Sequence, residues 1–159
     1  MTEQELRAHL EALEKNPEII AAAVKGLEES VLRYKPAPNK WSILEILAHL
    51  SDVELVWGYR IRQAIADKEP MFATIDQDDW AHNLGYLEVS PEEWLTLYKT
   101  NRRANVRLLR RLTLDDLAKG GFHPELKRKF TLAEIVERLT SHDPNHLGQI
   151  ERLKQRAGR

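Results

Sequence analysis

The chain has 159 residues and a formal net charge of −1, with 24 basic and 25 acidic side chains. The length suits one domain, and the 42% hydrophobic and 31% charged fractions are those of a soluble globular protein. The balanced charge argues against nucleic acid or an anionic membrane as a partner, and the lack of cysteine excludes disulfides and thiolate metal sites.

Targeting signals are not evident in this sequence. No run approaches the roughly 18 apolar residues that a membrane-spanning helix needs. The N-terminus is charged from its third residue and does not resemble a signal peptide. We therefore expect a cytoplasmic protein with one domain over residues 1–159.

The first predicted helices follow from apolar residues that recur every three or four positions. Three leucines before residue 14 indicate a first helix, and the pair Asn16-Pro17 is expected to interrupt it. Asparagine is a good N-cap and proline a good first residue, so a second segment would begin there. Ser42 and Glu45 have the spacing of a capping box, and the pattern behind them predicts a long helix over about residues 42–68.

The middle of the chain is predicted to contain long connections. Residues 69–89 lack sustained periodicity, apart from a short helical turn predicted near 76–83. Ser90, followed by proline, is predicted to begin another long helix, and residues 122–130 are predicted to form a loop. Four principal helices, long crossovers and no strand pattern predict an all-α four-helix bundle.

The last predicted helix, residues 131–156, carries two histidines on its apolar face. Thr131 and Glu134 have the spacing of a capping box at its start. His142 and His146 are one turn apart, so their imidazoles project side by side and can hold one divalent ion. The alternative is that one histidine is a satisfied core residue and the other lies at the boundary of the core.

A third histidine, His49, lies at the edge of the apolar face of the 42–68 helix and could meet the other two in a bundle. Three imidazoles and water would make an open metal site, and imidazole ligands suit zinc or nickel better than magnesium or calcium. Glu54 points into the same apolar face, which is unusual for a carboxylate without a partner, and it is the candidate catalytic residue. Other side chains that could orient the imidazoles are Asp52, Asp143 and Gln149.

Pro144 lies between the two histidines of the last helix. Proline removes a backbone donor and disfavours helix at the preceding residue. We expect the helix either to kink there or to restart with Asp143 as its N-cap.

The remaining polar groups are assigned to the surface. The five arginines between positions 102 and 111 form a basic helix face. Because acidic residues lie nearby, we interpret this face as solvated rather than as a phosphate site. The three histidines interpreted as surface or loop residues are His9, His82 and His123.

Two motifs in combination resemble a known family: Trp41-Ser42 leading to His49-Leu50 and Asp52, and His142-Asp143-x-x-His146-x-x-Gln149. Over nearly the whole chain, the sequence resembles the DinB-like (YfiT-related) family. The resemblance implies a four-helix bundle, often a homodimer, that binds a divalent metal through His49, His142 and His146.

The resemblance implies an enzyme whose open metal position holds water or a substrate thiol. Its reaction would be metal-assisted hydrolysis of a small molecule, or transfer involving a low-molecular-weight thiol such as bacillithiol or mycothiol. One alternative is a non-catalytic metal-binding module that serves a stress response or binds a partner. Another is a structural helical dimer with vestigial histidines.

Overall fold

A computed structural model describes residues 1–158, which fold into six helices and one small hairpin. The helices are α1 (Glu3–Val24), α2 (Glu29–Leu32), α3 (Ile43–Ala66), α4 (Gln77–Asn83), α5 (Pro91–Leu109) and α6 (Leu132–Ala157). A 3₁₀ turn at Asp115–Ala118 leads into an antiparallel hairpin of β1 (Gly120–His123) and β2 (Arg128–Thr131). The long helices α1, α3, α5 and α6 form the predicted four-helix bundle.

Side-chain caps fix where all four long helices begin, and three of these starts were predicted. Ser42 accepts a hydrogen bond from the backbone N–H of Glu45, whose carboxylate accepts one from the backbone N–H of Ser42. Thr131 and Glu134 form the same reciprocal pair at α6, and Ser90 caps α5. Each cap satisfies backbone donors that have no partner within the helix, so the predicted starts are confirmed.

The four long helices are not arranged in their order along the chain. The main contacts join α3 to α5, α5 to α1, α1 to α6 and α6 to α3. The helices that follow one another, α1 and α3, and again α5 and α6, therefore lie diagonally across the bundle. The two crossings at its ends contain α2 and the hairpin.

The 67–90 connection is long because its flanking helices are parallel neighbours. The C-terminal half of α3 and the N-terminal half of α5 belong to opposite apolar clusters, so the chain must return along the whole bundle. Phe72 and Tyr86 anchor this return with side chains that are 0% and 2% exposed. The short helical turn predicted within the connection is confirmed as α4.

A polar layer divides the core of the bundle into two apolar halves. One half holds the N-terminal parts of α1 and α6 with the C-terminal parts of α3 and α5, and the other holds the opposite ends. Between them lies a set of hydrogen-bonded and ion-paired side chains, here called the polar layer: Asn16, Glu54, Arg102, Asn105 and Asp143. The candidate site lies at the level of this layer.

The predicted break at Asn16-Pro17 is wrong, because α1 continues through both residues. Proline cannot donate to the carbonyl four residues earlier, which here belongs to Leu13. Arg102 supplies the missing donor, with its Nη1 atom 3.0 Å from the Leu13 oxygen. A side chain from α5 thus satisfies the acceptor that the proline leaves free.

Two further predictions about connections are corrected. Residues 122–130 are not a loop throughout, because they form most of the β1–β2 hairpin, and Phe122 also bridges to Met71. The helix does not restart at Asp143, because α6 runs through the exposed Pro144 without a break. No helix in the described part of the chain is long and apolar enough to cross a membrane.

Candidate metal centre

Three histidines from two neighbouring helices converge at the edge of the polar layer. His49 comes from α3, while His142 and His146 come from successive turns of α6. The Nε2 atom of His142 lies 3.1 Å from the Nε2 atoms of both His49 and His146. One ligand atom from each ring fits within 4.8 Å of the others, so Pro144 does not prevent the rings from meeting.

Two of the separations between the histidine nitrogen atoms suit ligands of one metal ion. Zinc binds imidazole nitrogen at about 2.0–2.1 Å, which places neighbouring nitrogens about 3.3 Å apart. The observed separations of 3.1 Å are close to this value. His49, His142 and His146 would supply three ligands to such an ion, and its remaining position would be open to water or a substrate.

Burial keeps these imidazoles neutral, as metal ligation requires. His49 is 3% and His146 is 8% exposed, and His142 is half-buried. Burial lowers the pKa of His49 to about 2 and that of His142 to about 3, with the neighbouring histidines adding to both shifts. Burial also lowers the pKa of His146, although Gln149 and Asp143 oppose this shift.

Neighbouring side chains orient two of the rings. The Nδ1 atom of His146 lies 2.9 Å from Oε1 of Gln149, and an amide oxygen can only accept. This bond puts the proton on Nδ1 and leaves the Nε2 lone pair for a metal. The Trp41 ring packs against His49 at a centroid distance of 4.7 Å and stacks parallel to His146 at 6.5 Å. The motif residues Trp41 and Gln149 therefore both contact the histidine cluster.

Arg102 lies at the centre of the polar layer and joins two predicted site residues. Its guanidinium pairs with Glu54 Oε1 at 2.7 Å and donates to both carboxylate oxygens of Asp143 at 2.7 and 3.1 Å. Asn105 and Asn16 donate further hydrogen bonds to these two carboxylates. Burial opposes the charge on Arg102, yet Glu54, Tyr98 and Asp143 hold its pKa above the ordinary value.

The surface assignment of Arg102 is therefore wrong, since its side chain is 2% exposed. Sequence reasoning missed this residue because it lies among five arginines. Its spacing of one turn from Tyr98 on the buried face of α5 was the available signal. Arg102 fixes Asp143, the residue that follows His142, relative to α3 and α5.

Comparison with known proteins places the chain in a family. The model of the DinB superfamily matches residues 12–150. The chain belongs to the DinB superfamily. Its fold matches that of a solved structure from Bacillus subtilis, YfiT, described as a probable metal-dependent hydrolase with an unusual four-helix bundle topology. That match has a TM-score of 0.92 at 22% identity and covers 99% of this chain and 90% of the other.

Sequence relatives of this DinB-superfamily member have matching descriptions. The "Putative metal-dependent hydrolase YfiT" of Bacillus subtilis (strain 168) is 24% identical over 149 residues, which cover 94% of this chain and 84% of that protein. A Bacillus licheniformis protein of the same description is 23% identical over 156 residues, covering 98% and 89%. The family and the fold are those expected from the sequence.

The other polar residues singled out in the sequence lie elsewhere. Asp52 accepts a hydrogen bond from the Tyr86 hydroxyl, and burial raises the pKa of both groups. His123 is not a surface residue, because it is 8% exposed and its ring packs against Phe130 in the hairpin. His82 is exposed on α4, as expected. None of these residues belongs to the histidine cluster.

A cleft of about 740 Å³ opens beside the histidine cluster of this DinB-superfamily bundle. His142 and His146 line one wall together with other residues of α6. Trp41 and the loop before it, from Pro36, also line the cleft, and the start of α4 contributes Gln77 and Asp78. The cleft gives small molecules access to two of the three imidazoles.

Proposed function

We propose that this chain is a metal-dependent enzyme that hydrolyses a small molecule in the cleft beside His49, His142 and His146. The observation that carries the proposal is the convergence of three imidazoles, two buried and one half-buried, at metal-ligand spacing beside a cleft of about 740 Å³. A purely structural site would normally fill the fourth position with a protein ligand. Here the described side chains offer three ligands, and the cleft lies next to them.

Some residues of the site would bind the metal, and others would orient the residues that bind it. His49, His142 and His146 would hold a divalent ion, zinc or nickel, which lowers the pKa of bound water and polarises a carbonyl. Gln149 holds the His146 tautomer, and Trp41 fixes two rings and covers one side of the site. Glu54 binds Arg102 and Asn105, so we propose that it helps to hold Arg102 in position. Its catalytic role stays a prediction.

Thiol transfer is the second candidate reaction. A thiolate is a good ligand for zinc and would take the same open position as water. The cleft and the set of only three protein ligands favour both reactions over a non-catalytic metal-binding module. We also propose that the protein forms a homodimer and is located in the cytoplasm.

Metal analysis of untagged protein tests the ligand assignment. We expect about one equivalent of zinc or nickel per chain, and uptake of the same amount by the chelated protein. His49→Ala and His142→Ala are each expected to abolish stoichiometric binding while circular dichroism shows retained helix. His82→Ala is the matched control, because His82 is exposed and lies outside the cluster. Wild-type affinity in either ligand variant would refute the site.

Activity then separates the candidate functions. The loaded and chelated proteins are assayed with p-nitrophenyl esters, and with 1-chloro-2,4-dinitrobenzene in the presence of a small thiol. Metal-dependent turnover of the esters supports hydrolysis, and metal-dependent conjugation supports thiol transfer. Bound metal without turnover of either substrate class would favour the non-catalytic module.

A further inference from the structure

The cleft beside the histidine cluster is strongly basic. Its cationic lining residues are Lys40, Arg138, Arg152 and Arg156, and its single anionic lining residue is Asp78. None of the four cations forms a salt bridge with any residue from 1 to 158. The chain as a whole has a net charge of −1, so the positive charge is concentrated locally at this cleft.

The three arginines lie on the same face of α6 as the metal-ligating pair. Arg138 precedes His142 by four residues, while Arg152 and Arg156 follow His146 by six and ten. With a rise of about 1.5 Å per residue, the backbone of Arg138 is about 6 Å along the helix axis from that of His142, and the backbone of Arg152 is about 9 Å from that of His146. The basic groups therefore flank the candidate metal on both sides.

Arg152 extends back along α6 toward the N-terminus of the helix. A Cβ atom added at Gly148 would lie 3.4 Å from Nη1 of Arg152, so the guanidinium lies over Gly148, one turn before Arg152. Helical side chains point toward the N-terminus of their helix, which accounts for this direction.

We infer that the substrate of this site is an anionic small molecule, whose carboxylate or phosphate groups bind the arginines of α6 while its reacting centre faces the histidines. Guanidinium groups match both oxyanions and bind them through paired hydrogen bonds. Arg138 and Arg152 are too far apart along the helix to bind the same oxyanion. Each lies to one side of the histidines, so each would bind a charged group beside the reacting centre of the substrate. This inference rests on the proposed metal-dependent function and specifies its substrate class.

A pair of metal-binding probes tests the inference in the zinc-loaded protein. The probes are the monohydroxamate of succinic acid and its uncharged carboxamide analogue, which differ only in the group distant from the metal. We expect the charged probe to bind about tenfold more tightly by titration calorimetry at low salt, the effect of a charge-assisted hydrogen bond. Added salt should reduce this preference, because the arginines are exposed.

The variant Arg138→Gln/Arg152→Gln/Arg156→Gln should lose the preference and keep its bound metal, because the arginines are not ligands. The matched control is Arg103→Gln/Arg107→Gln/Arg111→Gln, which removes three exposed positive charges on α5 and just after it and should keep the preference. Equal binding of the two probes by the wild-type protein would overturn the inference. A preference that survives in the α6 variant would overturn it as well.

A metal-free measurement separates this inference from the proposed function. Succinate and inorganic phosphate are titrated separately into the chelated protein, and amide signals of Ser141, Asn145 and Gln149 are followed by NMR. Saturable shifts that the α6 variant lacks support the anion site even if no metal binds, and the tighter anion identifies the preferred group. Failure to take up metal would refute the proposed function, whereas unmoved signals with both anions would refute the anionic substrate.

Discussion

Replacing Arg102 with methionine should destabilise the bundle severely, because it leaves two buried carboxylates without a cation. The side chains of Arg102, Glu54 and Asp143 are 2%, 0% and 1% exposed. Removing one partner of a buried ion pair costs about 3–5 kcal/mol. The Leu13 carbonyl would also lose the donor that replaces the one missing at Pro17.

This cost is a large part of the total stability of about 5–15 kcal/mol expected for a domain. With a denaturant dependence of about 2 kcal/mol per molar urea, the unfolding midpoint should fall by about 2 M. Urea unfolding at pH 7, followed by circular dichroism, measures the shift. Arg103→Met is the matched control, because the exposed neighbour should change stability by no more than about 0.5 kcal/mol.

Neutralising the carboxylates should recover much of the loss. The variant Arg102→Met/Glu54→Gln/Asp143→Asn removes the uncompensated charges, so it should be more stable than Arg102→Met alone. Arg102→Lys keeps the charge and loses the forked geometry, so it should fall between Arg102→Met and the wild-type protein. A loss below about 1 kcal/mol for Arg102→Met would refute the argument that this ion pair holds the polar layer together.

Two further predictions concern the histidine helix. Pro144→Ala restores a backbone donor at an exposed position inside α6, so it should raise the free energy of unfolding by about 1–3 kcal/mol and leave the metal stoichiometry unchanged; a loss of stability in urea would show that the proline is needed for packing. The metal-free protein should become less stable as the pH falls below about 6.5, by up to about 1.4 kcal/mol per pH unit for each of His49 and His142. The sign follows because the folded-state pKa values of His49 and His142 are about 2 and 3, so the unfolded chain binds protons that the folded chain does not. Urea midpoints at pH 7.5 and 5.5 should differ less for His49→Gln than for the wild-type protein, and equal differences would contradict the prediction.

Local signals in the sequence predicted the helices well. The capping boxes at Ser42 and Thr131 each depend on a partner three residues away, so a single sequence contains all the required information. The convergence of His49 with His142 depends instead on α3 packing beside α6. Periodicity places each ring on a buried face, but it does not show which helices are neighbours. The family resemblance supplied that step.

The errors arose where a distant residue changes the local preference. Pro17 favours a break, but its missing hydrogen bond is replaced by Arg102, 85 residues further along the chain. The hairpin turn contains no glycine, and a lysine, Lys127, adopts the positive φ of 52° there. The sequence therefore lacks the usual signal for such a turn. Arg102 is a charged residue of a type that usually lies at the surface, yet its side chain is buried in the core. Only its acidic partners on other helices decide between these two interpretations.

The order of the helices around the bundle also affects how the chain can fold during synthesis. The N-terminal helix α1 packs against α5 and α6, which begin at Pro91 and Leu132. Its apolar face therefore leaves the ribosome long before its partners exist, whereas in a bundle of successive antiparallel helices the next helix would cover it at once. Contacts this distant in sequence favour slow folding. The capping box at Thr2 would help α1 persist as an isolated helix until its partners are made.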